Sequence, residues 1–177
     1  MQLDPASGWC QDVCHCPSPN FNQRPAEEIS LLVIHNISLP PGQFATGKVQ
    51  EFFQNRLDVT EHSYFEGIAD LRVSAHFLIE RDGIVTQFVS CLERAWHAGV
   101  SSFEGRETCN DFSLGIELEG TDELPFTEAQ YTALIDLTRQ LRAVYPAITP
   151  QRLIQTGKSN VAPYSRASAS EASLEAP

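Results

Sequence analysis

Two apolar runs of this chain each carry ionisable side chains where a strand of a sheet would end. The first, Ser30-Leu31-Leu32-Val33-Ile34-His35-Asn36, closes on an imidazole; the second, Leu114-Gly115-Ile116-Glu117-Leu118-Glu119-Gly120, carries carboxylates. Read as strands, they put a histidine at one strand end and a glutamate on another. Metal hydrolases use that pairing as ligand and proton acceptor. Glu117 and Glu119 are two apart, so both point to one face, with Ile116 and Leu118 on the other. Two carboxylates on a buried face are costly unless paired or bound to a cation. A solvent-facing polar face is the plainer alternative for them.

The rest of the chain limits the choices. Its 177 residues, 42% hydrophobic, suit one domain with a single core. No apolar run approaches the ~18 residues of a membrane span. The segment MQLDPASGWC has neither a basic cluster nor an apolar stretch, so no secretory signal is expected and a cytoplasmic location is. Five cysteines without framework spacing fit a reducing compartment. A formal net charge of -11 argues against nucleic-acid binding and against an anionic membrane surface. It leaves room for a small ligand held by local arginines such as Arg72, Arg94 and Arg106.

Residues 17 to 26 read as an extended loop, and residues 30 to 36 as the first strand. Residues 49 to 57 suggest a short helix with Val49, Phe52 and Phe53 on one face; residues 58 to 70 are polar and irregular. Alternation from Val73 to Val89 around Asp82-Gly83 predicts a hairpin. Residues 113 to 119 form the Glu117 strand. Thr127 and Gln130 form a capping box for a helix that ends before Pro146. Its expected core side is Tyr131, Leu134, Ile135, Leu137, Leu141 and Val144. A short strand follows near residues 152 to 155. The organisation expected is a domain over residues 1–163 and a low-complexity tail over 164–177, poor in apolar anchors. The fold class is α/β, a central mixed sheet with flanking helices.

Other chemistry-bearing residues have plain readings beside functional ones. His76, mid-strand, reads as a structural hydrogen-bonding residue. Trp96 and His97 sit in a small-residue loop, where Trp96 is either core or a platform for a sugar or peptide. Cys10, Cys14, His15 and Cys16 are too tightly spaced for a zinc knuckle. No Gly-x-Ser-x-Gly or phosphate-cradling loop is present.

The strings CPSPNFNQRP, SLLVIHNISLPPGQF, LRVSAHFLIERDG, RAWHAGVSSFEGRETCNDFSLGIELEGTD and YPAIT carry a resemblance. Over about residues 8 to 163 the chain resembles the cytosolic 1,6-anhydro-N-acetylmuramyl-L-alanine amidases of peptidoglycan recycling, within the wider zinc amidase and peptidoglycan-recognition fold. The resemblance implies zinc held by two histidines and an aspartate, and hydrolysis of the amide between the anhydro-muramic acid lactyl group and L-alanine. It implies His35 as a metal ligand, Glu117 as the catalytic carboxylate, and Asn36, Arg72 and Trp96 as substrate-binding. The family's second histidine falls at Lys158, its aspartate at about Ser168 and its catalytic lysine at Arg166. Lys158 is expected beside Glu117. With two ligands replaced, the alternative is an impaired pseudo-amidase that binds muropeptide. His76 or His97 are the candidate substitute ligands.

Overall fold

A computed structural model describes residues 1–25 and 28–155. In chain order the strands and α-helices are β1 (Gln2–Asp4), β2 (Trp9–Gln11), β3 (Cys14–His15), β4 (Phe21–Gln23), β5 (Leu31–Ile37), α1 (Lys48–Phe53), α2 (Ser63–Glu66), β6 (Phe77–Ile79), β7 (Val85–Gln87), β8 (Glu93–Ala95), β9 (Ser102–Phe103), β10 (Arg106–Glu107), β11 (Ser113–Glu119), α3 (Glu128–Val144) and β12 (Leu153–Gln155). The main sheet runs β12-β5-β11-β6-β7-β3. Its β12, β5, β11 and β6 are parallel, whereas β6 and β7 pair antiparallel. This is the mixed sheet with flanking helices expected from the sequence.

The centre of the sheet is covered on both faces, which is why β11 reads as a nearly continuous buried run. Leu114, Ile116 and Leu118 share one core cluster with Leu32, Phe77 and Ile79, closed by Leu137 and Leu141 of α3. The opposite face is built differently. There Leu31 and Val33 pack with Ala98, Cys109 and Phe112. Further along, Ile37 and Leu78 meet Phe52, Phe53, Phe65 and Phe88. His35 and Glu117 belong to this second face by strand alternation.

Helix α3 starts at the expected box: the Thr127 hydroxyl accepts from the Gln130 N–H, and the Gln130 side chain accepts from the Thr127 N–H. The expected core side is narrower than read. Tyr131 and Ile135 are exposed, because each stands one residue, a 100° rotation, past the inward-facing Gln130 and Leu134. Gln130 itself is buried, and its amide donates to the carbonyls of Ile79 and Glu119. One polar side chain thus joins α3 to the ends of β6 and β11.

Other boundaries differ for local reasons. Helix α1 stops at Phe53 because Asn55 adopts a left-handed φ of 58°. The Arg56 N–H then reaches the Glu51 carbonyl and the Asn55 N–H reaches that of Phe52, closing the helix. Residues 58 to 70 contain the single turn α2, and residues 17 to 26 contribute β4, paired with β8. The 73–89 segment forms its hairpin over a shorter ladder, with Phe77 opposite Gln87. Both of its faces are buried, Ser74 and His76 included. The short β1–β2 hairpin offered no alternation to read; buried Gln87 holds it, accepting from the Cys10 N–H and donating to the Gly8 carbonyl.

Candidate active site

Parallel pairing of β5 and β11 sets Glu117 directly opposite His35. The two side chains therefore lie on one face of adjacent strands. Glu117 is fully buried, and among the described residues neither of its carboxylate oxygens has a hydrogen-bond partner. Burial pushes its carboxyl well above the ordinary range, favouring the protonated form. Glu119, on the same face, has a different task. Its Oε1 accepts from the Ala45 N–H at 2.6 Å and its Oε2 from the Arg81 N–H at 3.1 Å. It ties together two loops at the end of the sheet.

His35 is 3% exposed, and burial lowers its pKa to about 3, so it is a neutral imidazole. Its Nε2 lies 2.9 Å from His97 Nδ1, and His97 Nε2 lies 3.1 Å from Ser113 Oγ. His97 is also held neutral, first by burial and then by its charged and imidazole neighbours. Its ring rests over Gly115, where a β-carbon would stand 2.5 Å from His97 Cγ. A glycine inside an apolar strand marks such close approaches.

His76 packs beside this pair, its ring 5.8 Å from that of His97. Its Nδ1 accepts from the Gly115 N–H and its Nε2 lies 3.1 Å from the Glu93 carbonyl. The first contact fixes the tautomer, so the second is a donation. Both nitrogens of His76 and of His97 are thus engaged, which counts against either as a substitute metal ligand. His76 stands just before β6 rather than in mid-strand as the sequence suggested, and its contacts are those of a structural hydrogen-bonding residue.

A cavity of about 700 Å³ opens at the end of β5, lined by His35, Asn36, Phe52, Tyr64, Ile68 and Leu71 among others. Asn36 donates from Nδ2 to Asp122 Oδ1 at 2.7 Å. Arg72 and Trp96 are not among the lining residues. Exposed Arg72 donates to the carbonyls of Ala69 and Leu71, and the Trp96 indole donates to Asn22 Oδ1 at 2.8 Å. Lys158, Arg166, Ser168 and the whole 164–177 tail lie outside the described residues, as does any pairing of Lys158 with Glu117.

Residues 25–169 match the N-acetylmuramoyl-L-alanine amidase family. The chain belongs to that family. It is 53% identical over 161 residues to the 1,6-anhydro-N-acetylmuramyl-L-alanine amidase AmpD of Haemophilus influenzae, covering 90% of this chain and 86% of that protein. To the Escherichia coli AmpD it is 50% identical over 157 residues, 88% of this chain and 84% of the relative. A crystal structure of AmpD superposes with a TM-score of 0.85 at 47% identity, covering 97% of this chain and 99% of the other. The Drosophila peptidoglycan recognition protein SA, at 22% identity and a TM-score of 0.56 over 82% of this chain and 80% of the other, shares the fold.

The resemblance implies zinc in this amidase fold, and the described residues fit the inner half of such a site. A neutral buried imidazole and a buried carboxyl with no hydrogen-bond partner among the described residues stand side by side, the chemistry of a ligand for a divalent cation and a proton acceptor. Among the described residues no three His, Cys, Asp or Glu side chains converge to complete it. Cys14 is exposed, Cys10, Cys91 and Cys109 are buried, and all are free thiols. Sequence reasoning named His35 and Glu117 but passed over Ser113, Gly115 and Asp122. The signal for the first two was Gly115 itself, two residues before Glu117 in a run with no other reason to hold a glycine.

Proposed function

We propose that the chain is a zinc-dependent 1,6-anhydro-N-acetylmuramyl-L-alanine amidase of peptidoglycan recycling. It hydrolyses the amide between the lactyl group of anhydro-muramic acid and L-alanine. The observation that carries this reading is the buried carboxyl of Glu117, in register with neutral His35, in a chain half-identical to AmpD amidases.

His35, whose Nε2 lies 2.9 Å from His97 Nδ1, would be the residue that holds the metal. When bound there, zinc would supply Lewis-acid polarisation of the scissile carbonyl and a more acidic water. Glu117 takes the proton of the attacking water and gives one to the departing amine of L-alanine. Burial raises its pKa above that of an ordinary glutamate, which makes it a stronger proton acceptor than a solvated carboxylate. The surrounding apolar wall, with Phe52, Ile68 and Leu71, keeps bulk water from the reacting amide. Asn36, on the cavity wall, is assigned to the muropeptide. Arg72, next to the lining residue Leu71, and Trp96, next to His97, are assigned to it on the resemblance.

No helix among the described residues is long and apolar enough to cross a membrane. A cytoplasmic enzyme acting on a small soluble muropeptide fits that, the acidic charge and the AmpD likeness. The impaired pseudo-amidase raised by Lys158 and Ser168 is not favoured by likeness of this degree. The test is zinc content after reconstitution, with cleavage of anhydro-muropeptide followed by chromatography. About one zinc per chain and release of a peptide with an L-alanine amino terminus are expected. Glu117→Gln should keep the zinc and lower turnover by ~10²–10⁴-fold. A chain that takes up no zinc, or a Glu117→Gln variant as fast as the wild type, would overturn the reading.

A further inference from the structure

Nothing in the zinc amidase reading accounts for the second buried imidazole against His35. His97 lies 2.9 Å from His35 Nε2 through its Nδ1, and its Nε2 lies 3.1 Å from the buried hydroxyl of Ser113. Gly115 leaves the notch that lets the ring lie there: any β-carbon would come within 2.6 Å of the very nitrogen that meets His35. The backbone N–H groups of His97 and Ala98 both donate to Asn110 Oδ1, which fixes the loop that carries the ring. Four residues from three segments thus cooperate to hold one imidazole in one place.

We infer that His97 is a positioning residue: with Ser113 it forms a relay that fixes the orientation and tautomer of His35 so that Nδ1 offers a lone pair to the metal. This rests on the zinc reading above. The logic follows from counting protons. Two neutral imidazoles in line can be bonded in only two directions. In one, His35 Nε2–H donates to His97 Nδ1 and His97 Nε2–H donates to Ser113 Oγ. His35 Nδ1 then carries no proton and can bind a cation. In the other, the Ser113 hydroxyl donates to His97 Nε2 and His97 Nδ1–H donates to His35 Nε2. His35 then carries its proton on Nδ1, and its Nε2 is spent on His97, so neither nitrogen can take a metal. The first direction places both rings in the Nε2–H form, the tautomer that an imidazole side chain favours intrinsically. Partners of this kind behind a ligating histidine typically change metal affinity by ~10–100-fold when removed.

The test uses the full chain labelled with ¹⁵N, first metal-free. A scalar coupling between His35 Nε2 and His97 Nδ1, with the proton on His35 Nε2, is expected. Absence of the coupling, or a proton on His35 Nδ1, overturns the inference. The second arm measures zinc affinity by chelator competition, with thermal unfolding as the control for folding. His97→Phe and Gly115→Ala should each weaken zinc binding by ~10–100-fold. The glycine variant does so without removing any polar group. His97→Asn, whose amide oxygen can replace the Nδ1 acceptor, should recover part of the loss. Folded His97→Phe and Gly115→Ala proteins with zinc affinity within about twofold of wild type would also overturn it. If wild-type chain takes up no zinc, the amidase reading fails, and the metal-free coupling and proton position still decide the relay.

Discussion

Glu117 and Glu119 sit two residues apart on one face of one strand, yet the same substitution should move stability in opposite directions. Glu117 is buried with no hydrogen-bond partner among the described residues; Glu119 takes a backbone N–H on each oxygen. Replacing Glu117 with glutamine removes a group that must either ionise in an apolar setting or hold a proton against the solution. Glutamine is as unpaired there as the acid but has neither to ionise nor to hold a proton, and an unpaired buried group costs more when charged than when neutral. Glu117→Gln should therefore stabilise the metal-free chain by about 1–3 kcal/mol at pH 8, raising Tm by ~2–12 °C in a protein of this size. The pH dependence has a definite sign. The folded pKa is raised, so between the unfolded value near ~4.3 and the folded value the native state binds the extra proton. Stability then declines as pH rises through that window, and each unit of it is worth about 1.4 kcal/mol. The advantage of the glutamine variant should be full above the folded pKa and vanish below about pH 4. In Glu119→Gln, one of the two N–H donors would face an amide N–H, with a loss of about 1–3 kcal/mol. Paired thermal melts of both variants against wild type, with chelator, from pH 4 to 9 are the assay. Two variants shifting the same way, or a Glu117→Gln shift independent of pH, would refute the assignment.

Two further outcomes concern the cap of α3 and the buried imidazoles. Thr127→Ala breaks the capping box of α3 and should lower stability by about 1 kcal/mol, read as a drop in the denaturation midpoint at unchanged slope. His35 and His76 are held neutral with pKa values of about 3, so the unfolded chain binds protons that the native one refuses. Stability should fall as pH drops from about 6.5 toward 3, and denaturant melts that are flat across that range would show these imidazoles to be solvated.

Much of this was legible because it depends on periodicity and on strand position. The runs at 30–36 and 113–119 give their strands within a residue of the observed ends, and the box at Thr127 gives the helix start. Parallel pairing then puts His35 opposite Glu117, a register that no local pattern encodes. What was not legible depends on packing between distant segments. Tyr131 and Ile135 have the right spacing for a core stripe, but the sheet is wide enough to cover only Leu137, Leu141 and their flank. Gln130 reads as a cap and is also a buried tie to two strands. The engagement of His97 with His35 and Ser113 joins residues 62 and 16 positions apart, and only the glycine at 115 hinted at it.

The central claim is that this chain adds water across the lactyl–alanine amide. Incubating zinc-reconstituted protein with anhydro-muropeptide in ¹⁸O-water and weighing both products by mass spectrometry tests it most directly. Hydrolysis at the lactyl carbonyl predicts a single ¹⁸O in the carboxyl of the anhydro-muramic acid fragment, none in the peptide, and a new amino terminus on L-alanine. Intact muropeptide after prolonged incubation with the zinc-loaded chain would contradict it.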